Sequence, residues 1–166
     1  MTVPAFVFRC DGSPKLGMGH VRRCLSLAAA LRSRGGTVCF VMSDVSAPLI
    51  TTVRDGGFEI VPLVKSELAP APGASEAGSP EWPNQLSLED AHTTLAAAHK
   101  VGARVVLVDH YGASAEYLET VRRADLKVAV IDDLAERTEA TAAGGFSTAL
   151  PPTLWSSAPW RSRVSN

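Results

Sequence analysis

Residues 5–34 read AFVFRCDGSPKLGMGHVRRCLSLAAALRSR. The opening apolar run, AFVFRC, is too short for a helix and is closed at once by Asp11-Gly12, so it reads as a buried strand. Residues 11–19 then carry Gly12, Pro14, Gly17 and Gly19, a loop composition. From His20 the pattern changes period. Val21, Cys24, Leu25, Ala28 and Leu31 recur at helical spacing and form one apolar stripe, which predicts a helix over 20–34 stopped by Gly35-Gly36. Strand, glycine loop and helix in immediate succession are the opening of a βα unit.

The same alternation continues. Residues 37–42 (TVCFVM) predict a second strand, 47–54 a short helix entered near Pro48, and 58–61 a third strand. Residues 62–83 hold five of the eleven prolines (Pro62, Pro70, Pro72, Pro80, Pro83) and read as a long loop, a feature often tied to function in a compact α/β domain. Residues 86–100 predict a helix with Ser87 and Asp90 as a capping box and a Leu/Ala core stripe over 88–98. VVLVD at 105–109 is a strand, 114–124 a helix, and KVAVI at 127–131 a fifth strand ended by Asp132-Asp133. Short, continuously apolar, Val/Ile-rich strands alternating with helices are the mark of an α/β fold with a parallel sheet covered on both faces. The expected architecture is therefore a doubly wound, Rossmann-like sheet in the order 3-2-1-4-5. Ligands bind such sheets beyond the carboxyl ends of the strands, near the order switch. That edge would gather the loops after strands 1, 4 and 5.

Composition sets the outer limits. The chain has 166 residues, 46% of them hydrophobic, and 16 Lys+Arg balance 17 Asp+Glu. This is too apolar for a disordered chain and carries no basic excess for nucleic acid. No apolar run reaches the length of a membrane span, and the first residues show no secretory signal. Three cysteines without paired spacing (Cys10, Cys24, Cys39) predict reduced thiols and a cytoplasmic setting. From Ala140 onward there is no Asp, Glu or Lys, and Trp155 and Trp160 sit among Pro and Ser. The expected division is a domain over 1–137 and an irregular tail over 138–166.

The glycine loop matches neither phosphate-binding fingerprint. Arg22 stands where the third glycine of G-x-G-x-x-G belongs, and Met18-Gly19 replace the Lys and Ser/Thr that should follow Gly12 and Gly17 in a Walker pattern. The glycines do run straight into His20, in the first turn of the helix. The positive end of a helix dipole disfavours an imidazolium there, and a neutral imidazole is what a general base needs. Two readings stay open: a base approached by substrate over Gly17 and Gly19, or a surface histidine in a plain strand-to-helix turn. Asp109, His110 and Tyr111 follow the fourth strand directly and could orient a sugar or a water, or form a self-capped loop. Asp132 and Asp133 fit ligand binding or a helix cap. Of Arg22 and Arg23, at least one belongs to a solvated helix face, and either could meet an anionic substrate. His92 and His99 lie too far apart on one helix to share a metal, Trp82 fits loop packing, and no metal-ligand spacing or G-x-S-x-G elbow occurs. No cofactor is implied.

Taken together and in order, FRCDGSPKLGMGHVRRCLSLAAAL (8–31), WPNQLSLEDAHTTLAA (82–97), VVLVDHYGAS (105–114) and VAVIDDLAER (128–137) resemble the UDP-sugar hydrolases of the pseudaminic acid pathway. The resemblance spans about residues 5–137. It implies the N-terminal half of a glycosyltransferase-B fold and hydrolysis of UDP-2,4-diacetamido-2,4,6-trideoxy-β-L-altropyranose to free sugar and UDP. His20 would be the water-activating base, with inversion at the anomeric carbon. Asp11, Gly17, Gly19 and Arg23 match the glycine-loop segment, Asp109, His110 and Tyr111 the second polar segment, and Asp132 and Asp133 the third. No metal is implied. The family continues into a second Rossmann-like domain that holds the uridine and diphosphate. No residue after Arg137 matches it, so the expectation is a truncated or frame-shifted chain, completed by a separate C-terminal domain. Two other readings are kept: a non-catalytic sugar- or partner-binding half-domain, and a glycosyltransferase of surface polysaccharide synthesis.

Overall fold

A computed structural model describes residues 3–12, 17–43, 47–63, 86–131 and 146–147. Among the described residues ten elements follow one another. They are β1 (Ala5–Cys10), α1 (Gly19–Arg32), β2 (Thr37–Ser43), α2 (Ala47–Asp55), β3 (Glu59–Leu63), α3 (Leu88–Val101), β4 (Val105–Asp109), α4 (Ala115–Arg122), β5 (Lys127–Val130) and β6 (Phe146–Ser147). The strands form one sheet in the order β3-β2-β1-β4-β5-β6, every neighbouring pair parallel. The expected doubly wound α/β order is present, with a short sixth strand added. The chain runs outward from β1 through β2 to β3, then returns to the other side of β1 as β4. The order therefore switches between β1 and β4, and the carboxyl ends of these two strands are where sheets of this kind bind ligands.

The pleat sorts the core into two halves. Val7, Cys39, Val41, Val106 and Val108 point to one face and pack with Ala91, Ala97 and Ala98 of α3 and Tyr117 and Val121 of α4. Phe8, Cys10, Phe40, Met42 and Leu107 point to the other and pack with Val21, Cys24 and Ala28 of α1 and Leu49 and Val53 of α2. Period-two alternation within each strand, with both faces apolar, is what a sheet covered on both sides requires. The same parity sends Arg9 toward α3 and Cys10 toward α1.

Several boundaries differ from the sequence reading. Pro62 and Leu63 do not begin the loop but end β3, where Pro62 pairs with Met42. In this sheet β3 is a terminal strand, the place where a residue without an N–H is tolerated. The rest of the proline-rich stretch, Trp82 included, lies outside the described residues. Phe146–Ser147 comes from the stretch read as tail and pairs with β5. The stripe over 88–98 is narrower than expected, because Leu88 is 46% exposed and Ala96 is exposed, while Ala91, Ala97 and Ala98 are buried. Ser87 caps α3 by accepting from the Asp90 amide at 3.1 Å. The box is not reciprocal, for Asp90 spends its carboxylate on Arg9.

Gly12 shows how tightly the loop is drawn in. A Cβ built there would lie 2.7 Å from Leu49 Cδ1, 3.0 Å from Val21 Cγ2 and 3.2 Å from the Gly17 carbonyl. Gly12→Ala is expected to cost about 1–3 kcal/mol through overpacking, read as a lowered midpoint in urea unfolding.

Candidate active site

At the order switch two buried carboxylates collect the polar side chains of the neighbouring elements. The first is Asp109, the last residue of β4, whose side chain is 0% exposed. Its Oδ1 lies 2.7 Å from His20 Nδ1. Arg23 forks onto it, Nε donating to Oδ2 and Nη2 to Oδ1. Cys24 Sγ donates weakly to Oδ2 at 3.5 Å. His20, Arg23 and Cys24 stand at helical spacing on one side of α1's first turns, so a single carboxylate fastens the start of this helix to the tip of β4. Burial alone would raise the Asp109 carboxyl; hydrogen bonds from Arg23 and His20 outweigh it and hold the group below its ordinary range.

Asp11 sits one register step away, since Cys10 pairs with Asp109. Its Oδ1 accepts from the Ser43 amide at 2.7 Å and its Oδ2 from Arg9 Nη2 at 2.8 Å, while His110 Nε2 stands 3.5 Å from Oδ2. Burial pushes Asp11 up, but His110, Arg9 and the Ser43 amide together hold it well below the carboxylate range. Arg9, 2% exposed, reaches through the sheet edge to Asp90 on α3, with Nε 2.9 Å from Oδ1 and Nη2 2.7 Å from Oδ2. Tyr117 and Thr94 also donate to Asp90 Oδ1, at 3.2 and 3.4 Å. Among the described residues, Arg9 Nη1 and Ser43 Oγ are buried without a hydrogen-bond partner.

The sequence candidates fall into distinct places. His20 and Arg23 meet Asp109, and Tyr111 packs edge-on against the His20 ring with centroids 4.7 Å apart. Asp11 and His110 belong to the adjoining network. His110 Nδ1 accepts from the Gly112 amide at 2.9 Å, which orders the turn after β4. Gly17 has φ +81° and Gly19 opens α1; a Cβ built at either meets nothing within 4 Å. Among the described residues nothing stands over either glycine beside His20, and Met18 between them is 41% exposed. Arg22 is exposed, so the solvated member of the arginine pair is Arg22. His92 and His99 are exposed on α3. Asp132 and Asp133 lie outside the described residues.

Sequence reading missed Arg9 and Asp90 as partners. The signal was an arginine in an otherwise apolar strand, which a buried position tolerates only against a carboxylate. Contact with Cys10, burial and the Asp109 charge push the Cys24 thiol far up, which disfavours its thiolate. All three cysteines are free. Among the described residues no cluster of metal-ligating side chains occurs, and no helix is long and apolar enough to cross a membrane.

No family model and no curated protein matches the chain. Solved structures do. A glycosyltransferase from Rickettsia africae ESF-5 superposes with a TM-score of 0.55 at 11% identity, over 80% of this chain and 30% of that one. MurG of Acinetobacter baumannii superposes with a TM-score of 0.51 at 11% identity, over 78% of this chain and 34% of that one. The chain thus spans roughly a third of the length of these proteins. At such identity the likeness is one of fold, and the fold is the expected one: a Rossmann-like α/β unit of the kind found in glycosyltransferase-B proteins.

Proposed function

We propose that this domain is the sugar-facing half of a hydrolase acting on a UDP-linked 2,4-diacetamido-2,4,6-trideoxy sugar, with His20 as general base. The observation that carries the reading is the His20 ring, seated at the order switch, tethered to the buried Asp109 and next to Gly17 and Gly19, over which none of the described residues stands. His20 takes a proton from water through the ring nitrogen that does not face Asp109. The water oxygen bonds to the anomeric carbon, and the bond from that carbon to the diphosphate oxygen breaks. UDP leaves with the electron pair, so the sugar is released with inverted configuration. The diphosphate is already a good leaving group, and a positioned base with an oriented water supplies what remains. Asp11, His110, Tyr111 and Arg23 shape the sugar pocket, and the uridine diphosphate end is assigned to a second Rossmann-like domain.

Gly19→Ala tests the pocket. The residue is helical, without positive φ and without a steric neighbour among the described residues, so the variant is expected to fold at least as stably as the parent. Its methyl group enters the space assigned to substrate, and KM should rise about 10-fold or more with kcat little changed. An unchanged KM contradicts approach over this glycine.

A second reading is favoured by the named activity of one structural neighbour, a glycosyltransferase: the same base would then deprotonate an acceptor hydroxyl. Incubation of the altrose-configured UDP-sugar with this chain, with and without an acceptor, separates the two. Free sugar and UDP without acceptor indicate hydrolysis; a glycoside formed only with acceptor indicates transfer.

A further inference from the structure

We infer that Asp109 is a positioning residue that fixes His20 in the Nδ1–H tautomer, with Arg23 as the clamp that holds the carboxylate in place. The inference deepens the role proposed for His20 and rests on that reading for its catalytic meaning. The tautomer itself is a separate matter of geometry.

His20 Nδ1 has two close neighbours, Asp109 Oδ1 at 2.7 Å and Arg23 Nη2 at 2.9 Å. Only one of them decides where the proton sits. A carboxylate oxygen and an unprotonated ring nitrogen at 2.7 Å would be two lone pairs facing each other. Asp109 is fully buried, so water could not relieve that repulsion. With a proton on Nδ1, the contact becomes a charge-assisted hydrogen bond of ordinary length. Arg23 Nη2 does not require a lone pair on Nδ1, since it already donates to Asp109 Oδ1. Nη2 and Nδ1–H are two donors converging on the same Oδ1, and their separation is set by that shared acceptor. Arg23 Nε on Oδ2 completes the fork and fixes the carboxylate plane. Tyr111 packs edge-on against the imidazole and restrains the ring plane. The lone pair is left on Nε2, the nitrogen turned away from Asp109. A histidine's free nitrogen is set by the hydrogen bond its other nitrogen makes.

The same sheet edge holds an internal reference. His110 Nδ1 lies 2.9 Å from the Gly112 amide, which can only donate. Neutral His110 is therefore the Nε2–H tautomer, and two neighbouring imidazoles carry their protons on opposite nitrogens.

The test is long-range proton–nitrogen correlation NMR on the full chain labelled with ¹⁵N-histidine, at a pH where the rings are neutral. The expected spectrum shows His20 as Nδ1–H and His110 as Nε2–H. Asp109→Asn should move His20 toward the Nε2–H pattern while His110, the folding control, stays in place. Arg23→Gln should leave His20 as Nδ1–H, because Asp109 still accepts from it; if Asp109→Asn does not fold, an Nε2–H pattern for His20 in Arg23→Gln overturns the inference. An Nε2–H pattern for His20 in the parent chain, or an unchanged Nδ1–H pattern in folded Asp109→Asn, overturns the inference. Failure of UDP release with the Nδ1–H pattern present counts against hydrolysis alone and leaves the positioning role standing.

Discussion

His20→Ala is expected to lower the rate of UDP release by about 10²–10⁴-fold, the usual contribution of a positioned general base. The fold should survive. The His20 side chain is 12% exposed and contributes one bond to Asp109, which keeps its fork from Arg23 after the change. The expected signature is therefore a fall in kcat with an unfolding midpoint close to that of the parent. A midpoint that collapses together with the activity would make His20 a structural residue. Undiminished activity would remove it from the chemistry altogether.

The largest stability effect is expected at Arg9. It joins Asp11 after β1 to Asp90 on α3, two carboxylates far apart in sequence, from a position that is 2% exposed. Arg9→Ala leaves both carboxylates buried without their cation. Breaking a buried pair by removing one partner costs about 3–5 kcal/mol, a large part of the roughly 5–15 kcal/mol that holds a domain of this kind together. Arg9→Lys should recover little, since a lysine ammonium does not reproduce the planar fork that reaches Asp11 and Asp90 together. Urea unfolding of the three proteins checks the order parent, then Lys, then Ala.

The same network sets an acid limit. In the folded chain the Asp11 carboxyl is held below its ordinary value of 3.8, so its contribution is complete at neutral pH and is withdrawn as the pH falls below that value. Asp109 is displaced in the same direction and adds to the effect. The part of the unfolding midpoint owed to these two carboxylates should hold down to the ordinary carboxylate range and fall steeply beneath it. A chain equally stable well below that range would contradict the assignment of these carboxylates as ionised anchors.

The fold was legible because each strand is apolar on both faces and each helix carries one stripe. Val105–Asp109 begins and ends where its composition says it should, and Gly102, with φ +64°, closes α3 ahead of it. Local signals failed where a distant partner decided the outcome. Asp90 stands at a capping-box position, yet its carboxylate turns to an arginine 81 residues away. Pro62 looks like a loop residue until its strand is known to be terminal. At the site, His20 and Asp109 were each visible as candidates, 89 residues apart in sequence. Nothing local joins them; the crossover from β1 through α1 and the insertion of β4 beside β1 do. His110, read beside Asp109 as one polar cluster, instead turns to Asp11 and the Gly112 amide. Consecutive residues at a strand end point to different sides, and spacing alone does not say which side faces a ligand.

In the proposed reaction, water activated at this sheet edge attacks a sugar carbon. Turnover of the UDP-sugar in heavy-oxygen water, followed by mass analysis and NMR of both products, tests it most directly. The account predicts heavy oxygen on the anomeric carbon, none on UDP, an inverted first-formed anomer, and no such product from His20→Ala. Heavy oxygen appearing on UDP, or the same labelled sugar formed at the parent's rate by His20→Ala, would contradict it.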